Sequence, residues 1–339
     1  MKINAITSNV GNCNAPNSTN KLNKGKNAKN LSFKNFVKTL YYEHKMKKLY
    51  NVECNFKTNS FVAECVKKTA DIFDGIFGQD SLPQTVDFLS FREYFNEGEN
   101  ALGAHIHDAK FGLSKVFFNS DSSCYKTKNR LQFETLANRI IWWSPTASYL
   151  QTFVHEFGHS AHFNHLQERG NGSIMDKLND TRIPTIIGRF IAKFELGRYS
   201  ATNMNEFMAE RITKDICNNL GSNTDIFIGS PHDLDYERIF ENRWEYRYSS
   251  PQAYLDYYTQ QVWNGDVEKA DEVADDMGKY LRKIESLEVV PVLQTVTVPA
   301  EQTETVPLLQ RFFRGLLRLN TRLTENLDAR NNLRLDIGV

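Results

Sequence analysis

The run Phe153-Val154-His155-Glu156-Phe157-Gly158-His159 constrains this chain more than any other stretch. It is an HExxH pattern set among apolar residues. Residues four apart share one face of an α-helix, so a helix here brings the imidazoles of His155 and His159 to one metal ion. Glu156 lies beside that face, where a carboxylate can take a proton from a metal-bound water. HExxH arises by chance in long chains, so the reading needs a third ligand and suitable surroundings.

A catalytic zinc site usually has three protein ligands and leaves one position for water. Two candidates compete for the third place. Glu206 sits in Tyr199-Ser200-Ala201-Thr202-Asn203-Met204-Asn205-Glu206-Phe207-Met208-Ala209-Glu210, where a helix is expected over Asn203–Asn219. Packed against the first helix, this second helix presents the Glu206 carboxylate to the metal. Glu210, one turn later, is placed to receive the other ring N–H of a zinc-bound histidine. The rival is His165, with Ser173-Ile174-Met175 downstream as a methionine turn. The metzincin pattern needs Gly three residues after the second His to turn the chain, and His162 stands there. On a continuous helix His165 lies about 280° around from His155. Geometry favours Glu206.

The set HEFGH, then Tyr199 and, seven residues later, Glu206 within EFMAE, resembles the catalytic domain of anthrax lethal factor and its gluzincin relatives. Those relatives include zincin-like domains of bacterial toxins and of phage or prophage structural proteins. The resemblance covers roughly residues 100–220; the GLSKVFFN segment and Trp143-Ser144-Pro145 also fit it. It implies an α+β fold with a zincin-like metalloprotease core. That core is a small twisted sheet plus an active-site helix and a glutamate helix, with mainly helical N- and C-terminal extensions. By position it implies one Zn2+ per chain on His155, His159 and Glu206, Glu156 as base, and Tyr199 as transition-state stabiliser.

The flanks are read from composition and pattern. The chain has 339 residues, 40% hydrophobic and 24% charged, as in a water-soluble globular protein. Residues 1–30 are rich in Asn, Lys, Ser and Gly and are expected to be a disordered leader. A helical N-terminal segment is expected over 31–82 and the catalytic core over 83–221. A helical extension over 222–286, a linker over 287–307 and an amphipathic C-terminal helix over 308–339 follow. Within the core, strands are expected at 85–91, 101–107 and 112–119, and the HExxH helix from Ser148 to Gln167. The strand near 114–119 is expected to pair with an extended substrate.

Charge is polarised although the net charge is zero: residues 1–50 carry a balance of +9 and residues 201–280 one of −9. The basic end suits contact with a secretion chaperone or machinery, or a membrane surface. No nucleic-acid-binding motif accompanies it, so nucleic acid is not an expected partner. The stripe RFFRGLLRL within 308–319 suits a membrane or protein contact. Five scattered cysteines without a CxxC pair indicate reduced thiols. No secretory signal is legible, so the expected setting is an effector or toxin delivered into a target-cell cytosol without a Sec signal, cleaving a protein or peptide substrate there; otherwise it is cytoplasmic. The alternatives are a phage-derived zincin-domain structural protein, a metzincin-like protease using His165, and a non-catalytic interaction protein with a vestigial site.

Overall fold

A computed structural model of the chain describes residues 4–7, 25–95, 101–183, 185–220 and 251–287. The fold class is α+β. Five strands form one mixed sheet: β1 (Asn4–Thr7), β2 (Glu53–Asn55), β3 (Thr85–Leu89), β4 (Ala101–Asp108) and β5 (Leu113–Asn119). Their order is β1-β4-β5-β3-β2; β2, β3 and β5 run parallel, while β4 is antiparallel to β5 and β1 antiparallel to β4. The strands expected at 85–91, 101–107 and 112–119 are present. β1 and β2 are too short, at four and three residues, to show a period in the sequence; backbone pairing to β4 and β3 makes them strands.

The helices are α1 (Gly25–Tyr50), α2 (Ser60–Phe77), α3 (Phe91–Phe95), α4 (Lys128–Ile140) and α5 (Gln151–Glu168). They continue with α6 (Ile174–Asp180), α7 (Ile186–Leu196), α8 (Met204–Asn218), α9 (Pro251–Trp263) and α10 (Val267–Leu287). The HExxH helix, α5, is the axle of the fold. Its residues from Gln151 to Asn164 are all buried, polar ones included. A helix enclosed on every side has no solvent stripe, so its sequence shows little amphipathic period. The sheet lies along one side of it, and α2, α8 and α9 close the others.

Two expectations about the flanks change. A single apolar cluster runs from Met46 through Phe73, Phe157 and Phe207 to Tyr258, Trp263 and Met277. The expected boundaries at 82/83 and 221/222 therefore do not separate independent cores. Residues 31–82 contribute β2 to the sheet and α2 to the wall around α5, and α9 and α10 belong to the same cluster. The leader expected over 1–30 is corrected at two places: Asn4–Thr7 pairs with β4, and α1 begins at Gly25. An open sheet edge supplies backbone partners that composition does not show. The expected linker over 287–307 beyond Leu287, and the C-terminal helix over 308–339, lie outside the described residues.

Candidate metal centre

The centre forms where α5 crosses α8. Gly158 marks the crossing point: a Cβ added there would rest in ordinary van der Waals contact with the backbone of Ala209, at 3.5 Å. The ligand candidates lie on either side of this contact point. Asn203 caps α8 by accepting the Glu206 N–H at 2.8 Å, which places Glu206 in the first turn of the helix. There the helix dipole favours a carboxylate anion.

His155 Nε2 lies 3.0 Å from His159 Nε2 and 3.0 Å from Glu206 Oε2, and His159 Nε2 lies 3.3 Å from the same oxygen. Two donors about 2.0–2.1 Å from a tetrahedral zinc are roughly 3.3 Å apart, so this triangle has the size of a zinc ligand set. His155 Nδ1 is 2.9 Å from Glu210 Oε1. With its ring proton on that nitrogen, next to the Glu210 carboxylate, a neutral His155 turns a lone pair toward Glu206 and His159. Three electron-rich atoms so close, and almost wholly shielded from water, can hold a metal cation between them or share a proton.

The ionisation of the group follows. Burial disfavours the charge on His155, but its bonds to Glu206 and Glu210 outweigh this and hold its pKa well above the usual histidine value. Burial likewise opposes ionisation of Glu206, yet His159 and His155 hold it far below the ordinary carboxylate range. Without a metal, a proton on His155 fills the cation's role. Glu210 is pushed up by burial, against the lowering effect of His155.

Glu156 is different in kind. It is 1% exposed, and neither carboxylate oxygen has a hydrogen-bond partner among the described residues. Burial, with Glu206 and Glu210 adding repulsion, raises its pKa well above 4.5. Gly103 of β4 lies directly against it: a Cβ there would come within 2.5 Å of Oε1 and 2.7 Å of Cγ. Only a glycine lets this strand pass so close to the side chain. A glycine inside an otherwise apolar strand pattern is the signal that could have located this contact.

Tyr199 sits in a 3-10 turn over Tyr199–Ala201, its ring 5.7 Å from that of His155. Backbone bonds from Arg198 N–H to Trp142 C=O and from Tyr199 N–H to Trp143 C=O fix this turn. Gly197, at φ +92°, lets the two segments meet, since a Cβ would strike the Trp143 carbonyl at 2.8 Å. Trp143-Ser144 thus positions Tyr199. Burial first, and the surrounding carboxylates Glu206, Glu156 and Glu210 next, raise the pKa of the phenol well above its ordinary value.

His105 was not anticipated. It is 1% exposed, and its ring stacks on that of His159 at 5.7 Å and 17°. The Ser160 hydroxyl donates to Ser81 C=O and the Ser114 hydroxyl donates to Ser160, so Ser114 oxygen accepts from His105 Nε2–H at 2.9 Å. His159 Nδ1 has no hydrogen-bond partner among the described residues. The two histidines are therefore steadied differently, His155 by a carboxylate and His159 by an anchored ring.

The tertiary arrangement brings together all six residues singled out from the sequence: His155, Glu156, His159, Tyr199, Glu206 and Glu210. It overturns the His165 alternative. The helix continues past His162, and His165 stacks on Trp263 at 4.4 Å, away from the centre. His162 donates Nε2–H to Val262 C=O, and burial pushes its pKa down to about 3. Met175 is an ordinary core residue of α6. The expectation that the strand at 114–119 receives a substrate is also corrected. β5 is flanked by β3 and β4, so its backbone is already paired. The strand beside Glu156 is β4, and β1 occupies its other edge with Asn4 opposite His105 and Ala5 opposite Ala104.

No protein-family model, curated protein or solved structure matches this chain.

Among the described residues, His155, His159 and Glu206 are the one group of three or more His, Cys, Asp or Glu side chains arranged to hold a metal. Glu210→Gln is expected to weaken zinc binding about 10–100-fold, because a neutral amide no longer fixes the His155 tautomer. Competition with a chromophoric chelator measures this. Unchanged affinity would show that Glu210 has no part in orienting the ligand.

Proposed function

We propose that this chain is a zinc-dependent endopeptidase with a zincin-like core and a glutamate third ligand. The observation that carries the reading is the convergence of His155 Nε2, His159 Nε2 and Glu206 Oε2 beside the unpartnered carboxylate of Glu156. Zinc held there would supply Lewis acidity toward a peptide carbonyl and lower the pKa of its water toward neutrality. Glu156 takes the proton of the attacking water on one carboxylate oxygen and passes it to the leaving amine. Burial raises its pKa, which makes this carboxylate a stronger proton acceptor than an exposed one. Tyr199 stays protonated and donates to the developing oxyanion. An extended peptide pairs with β4, which requires β1 to leave that edge.

The substrate class is a protein of a target cell; the support is the resemblance to lethal-factor-type domains and the Lys-rich first fifty residues. Four described cysteines, Cys54, Cys65, Cys124 and Cys217, are free thiols, which suits a reducing compartment. No helix among the described residues is long and apolar enough to cross a membrane.

Tyr199→Phe is expected to lower kcat by about 100–1,000-fold with zinc content unchanged. Metal loss in that variant would make the tyrosine structural. The reading as a whole is tested by N-terminal proteomics of target-cell lysate treated with the wild-type chain or with Glu156→Gln. New N-termini found only with wild type are the expected result.

One observation favours a second reading, an interaction protein with a vestigial site. The centre is almost fully enclosed, and a proton on His155 balances its charge without metal. Absence of zinc after mild purification, with no uptake on addition, would select it.

A further inference from the structure

Helix α1 has two apolar faces. One is conventional: Thr39 and Met46 are buried, and Tyr42 and Tyr50 pack at the edge of the main core. The other turns outward. Phe33, Phe36, Val37, Leu40 and Tyr41 follow the i, i+3, i+4, i+7, i+8 spacing of a single stripe. They are 69%, 43%, 49%, 47% and 51% exposed, respectively. Isolated exposed apolar residues are ordinary, but five large ones in a row over about two turns mark a surface built to be covered.

The charged side chains that α1 itself sets around the stripe are lysines. Lys34, Lys38, Lys47 and Lys48 are exposed, and Lys45 lies with Nζ 4.9 Å over the Tyr41 ring. At 100° per residue, Lys34, Lys38 and Lys45 line one long border, and Lys47 and Lys48 close the C-terminal end. The sole acidic residue of this stretch, Glu43, is turned inward and accepts the Phe56 N–H at 2.8 Å. Lys38 and Lys47 pair with Glu64 and Glu53 on neighbouring elements, so the positive charge bordering the stripe falls mainly to Lys34, Lys45 and Lys48.

We propose that this face of α1 docks the protein on an anionic lipid surface. The apolar stripe enters the boundary between headgroups and acyl chains, and the lysines meet lipid phosphates and carboxylates. A second copy of the chain is a poorer occupant, because like faces would set lysines against lysines. The assignment is independent of the metal centre. It places an enclosed catalytic or binding site at a membrane surface.

Co-sedimentation of the full chain with lipid vesicles tests it. Binding is expected to vesicles containing phosphatidylserine, to be at least about tenfold weaker with phosphatidylcholine alone, and to fall as salt rises. Val37→Glu/Leu40→Glu should reduce binding about tenfold or more, and Lys34→Glu/Lys48→Glu by about fivefold per lysine. All four positions are exposed, so circular dichroism and melting temperature should match wild type. Equal binding to neutral and anionic vesicles, or no binding, overturns the proposal. So does undiminished binding by the Val37→Glu/Leu40→Glu chain, which would assign the lipid contact to another segment. Wild-type self-association in the ultracentrifuge that this variant abolishes would overturn it in favour of an interface between copies.

Discussion

Glu156→Gln is expected to retain zinc and lose roughly 100–10,000-fold in kcat, the usual contribution of a positioned general base. The exchange is nearly isosteric, so the amide fits the slot beneath Gly103. Glu156 lies outside the ligand triangle, so loading should stay within about twofold of wild type. The variant also carries a stability signature. The folded-state pKa of Glu156 lies above its ordinary value of 4.5, so between those two pH values the folded chain binds more protons than the unfolded one. Its contribution to stability therefore falls as pH rises above 4.5. Glutamine removes that slope. Thermal melts of the two chains at about pH 5 and about pH 8 should show the variant gaining relative stability at the higher pH. Retained proteolysis would remove Glu156 from the chemistry, and lost zinc would make it part of the ligand set.

Glu206→Ala is expected to have the largest effect on the metal. Apparent binding energies of about 10–16 kcal/mol for structural zinc, spread over four ligands, correspond to roughly 2.5–4 kcal/mol each, or about 70–900-fold in affinity. The loss should also change how binding depends on pH. In the wild-type chain Glu206 and Glu210 keep His155 protonated well above the usual histidine pKa, whereas zinc needs its Nε2 lone pair. Loading then releases about one proton, and affinity rises about tenfold per pH unit below the folded pKa of His155. Without Glu206 that proton is held less tightly, so the slope should flatten within the same range. Calorimetric titration in buffers of different ionisation enthalpy counts the protons. An unchanged slope would mean that Glu210 alone sets the ionisation of His155.

The two experiments separate what the centre is from what it does. Glu206→Ala tests the ligand set whether or not the chain turns over a substrate. Glu156→Gln tests turnover with the ligand set intact. A chain that passes the first and shows no wild-type activity to lose would be a metal-binding protein of another kind.

Much of the centre was legible because its residues obey local rules. His155 and His159 are one helical turn apart, and Glu206 and Glu210 repeat that spacing on a helix that Asn203 caps. The breaking of the metzincin pattern at His162 was likewise a local fact, and the stacking of His165 on Trp263 agrees with it. These signals lie within a few residues of one another, and helix periodicity alone turns them into a shared face.

What lay beyond the sequence depends on pairing between distant segments. Which strand passes over Glu156 follows from sheet order, and β4 rather than β5 holds that place because β3 takes the other side of β5. The anchoring of His159 through His105, Ser114, Ser160 and Ser81 joins residues from β4, β5, α5 and the 3-10 turn after α2, and no periodicity links them. The seat of Tyr199 depends on Trp143 and on the left-handed Gly197, which are far apart in sequence. Spacing along the chain was enough to say which side chains each helix presents together, because a turn of helix fixes which residues share a face. That the two faces meet, which strand covers them and how far the site is shut off from water came from the packing of segments distant along the chain.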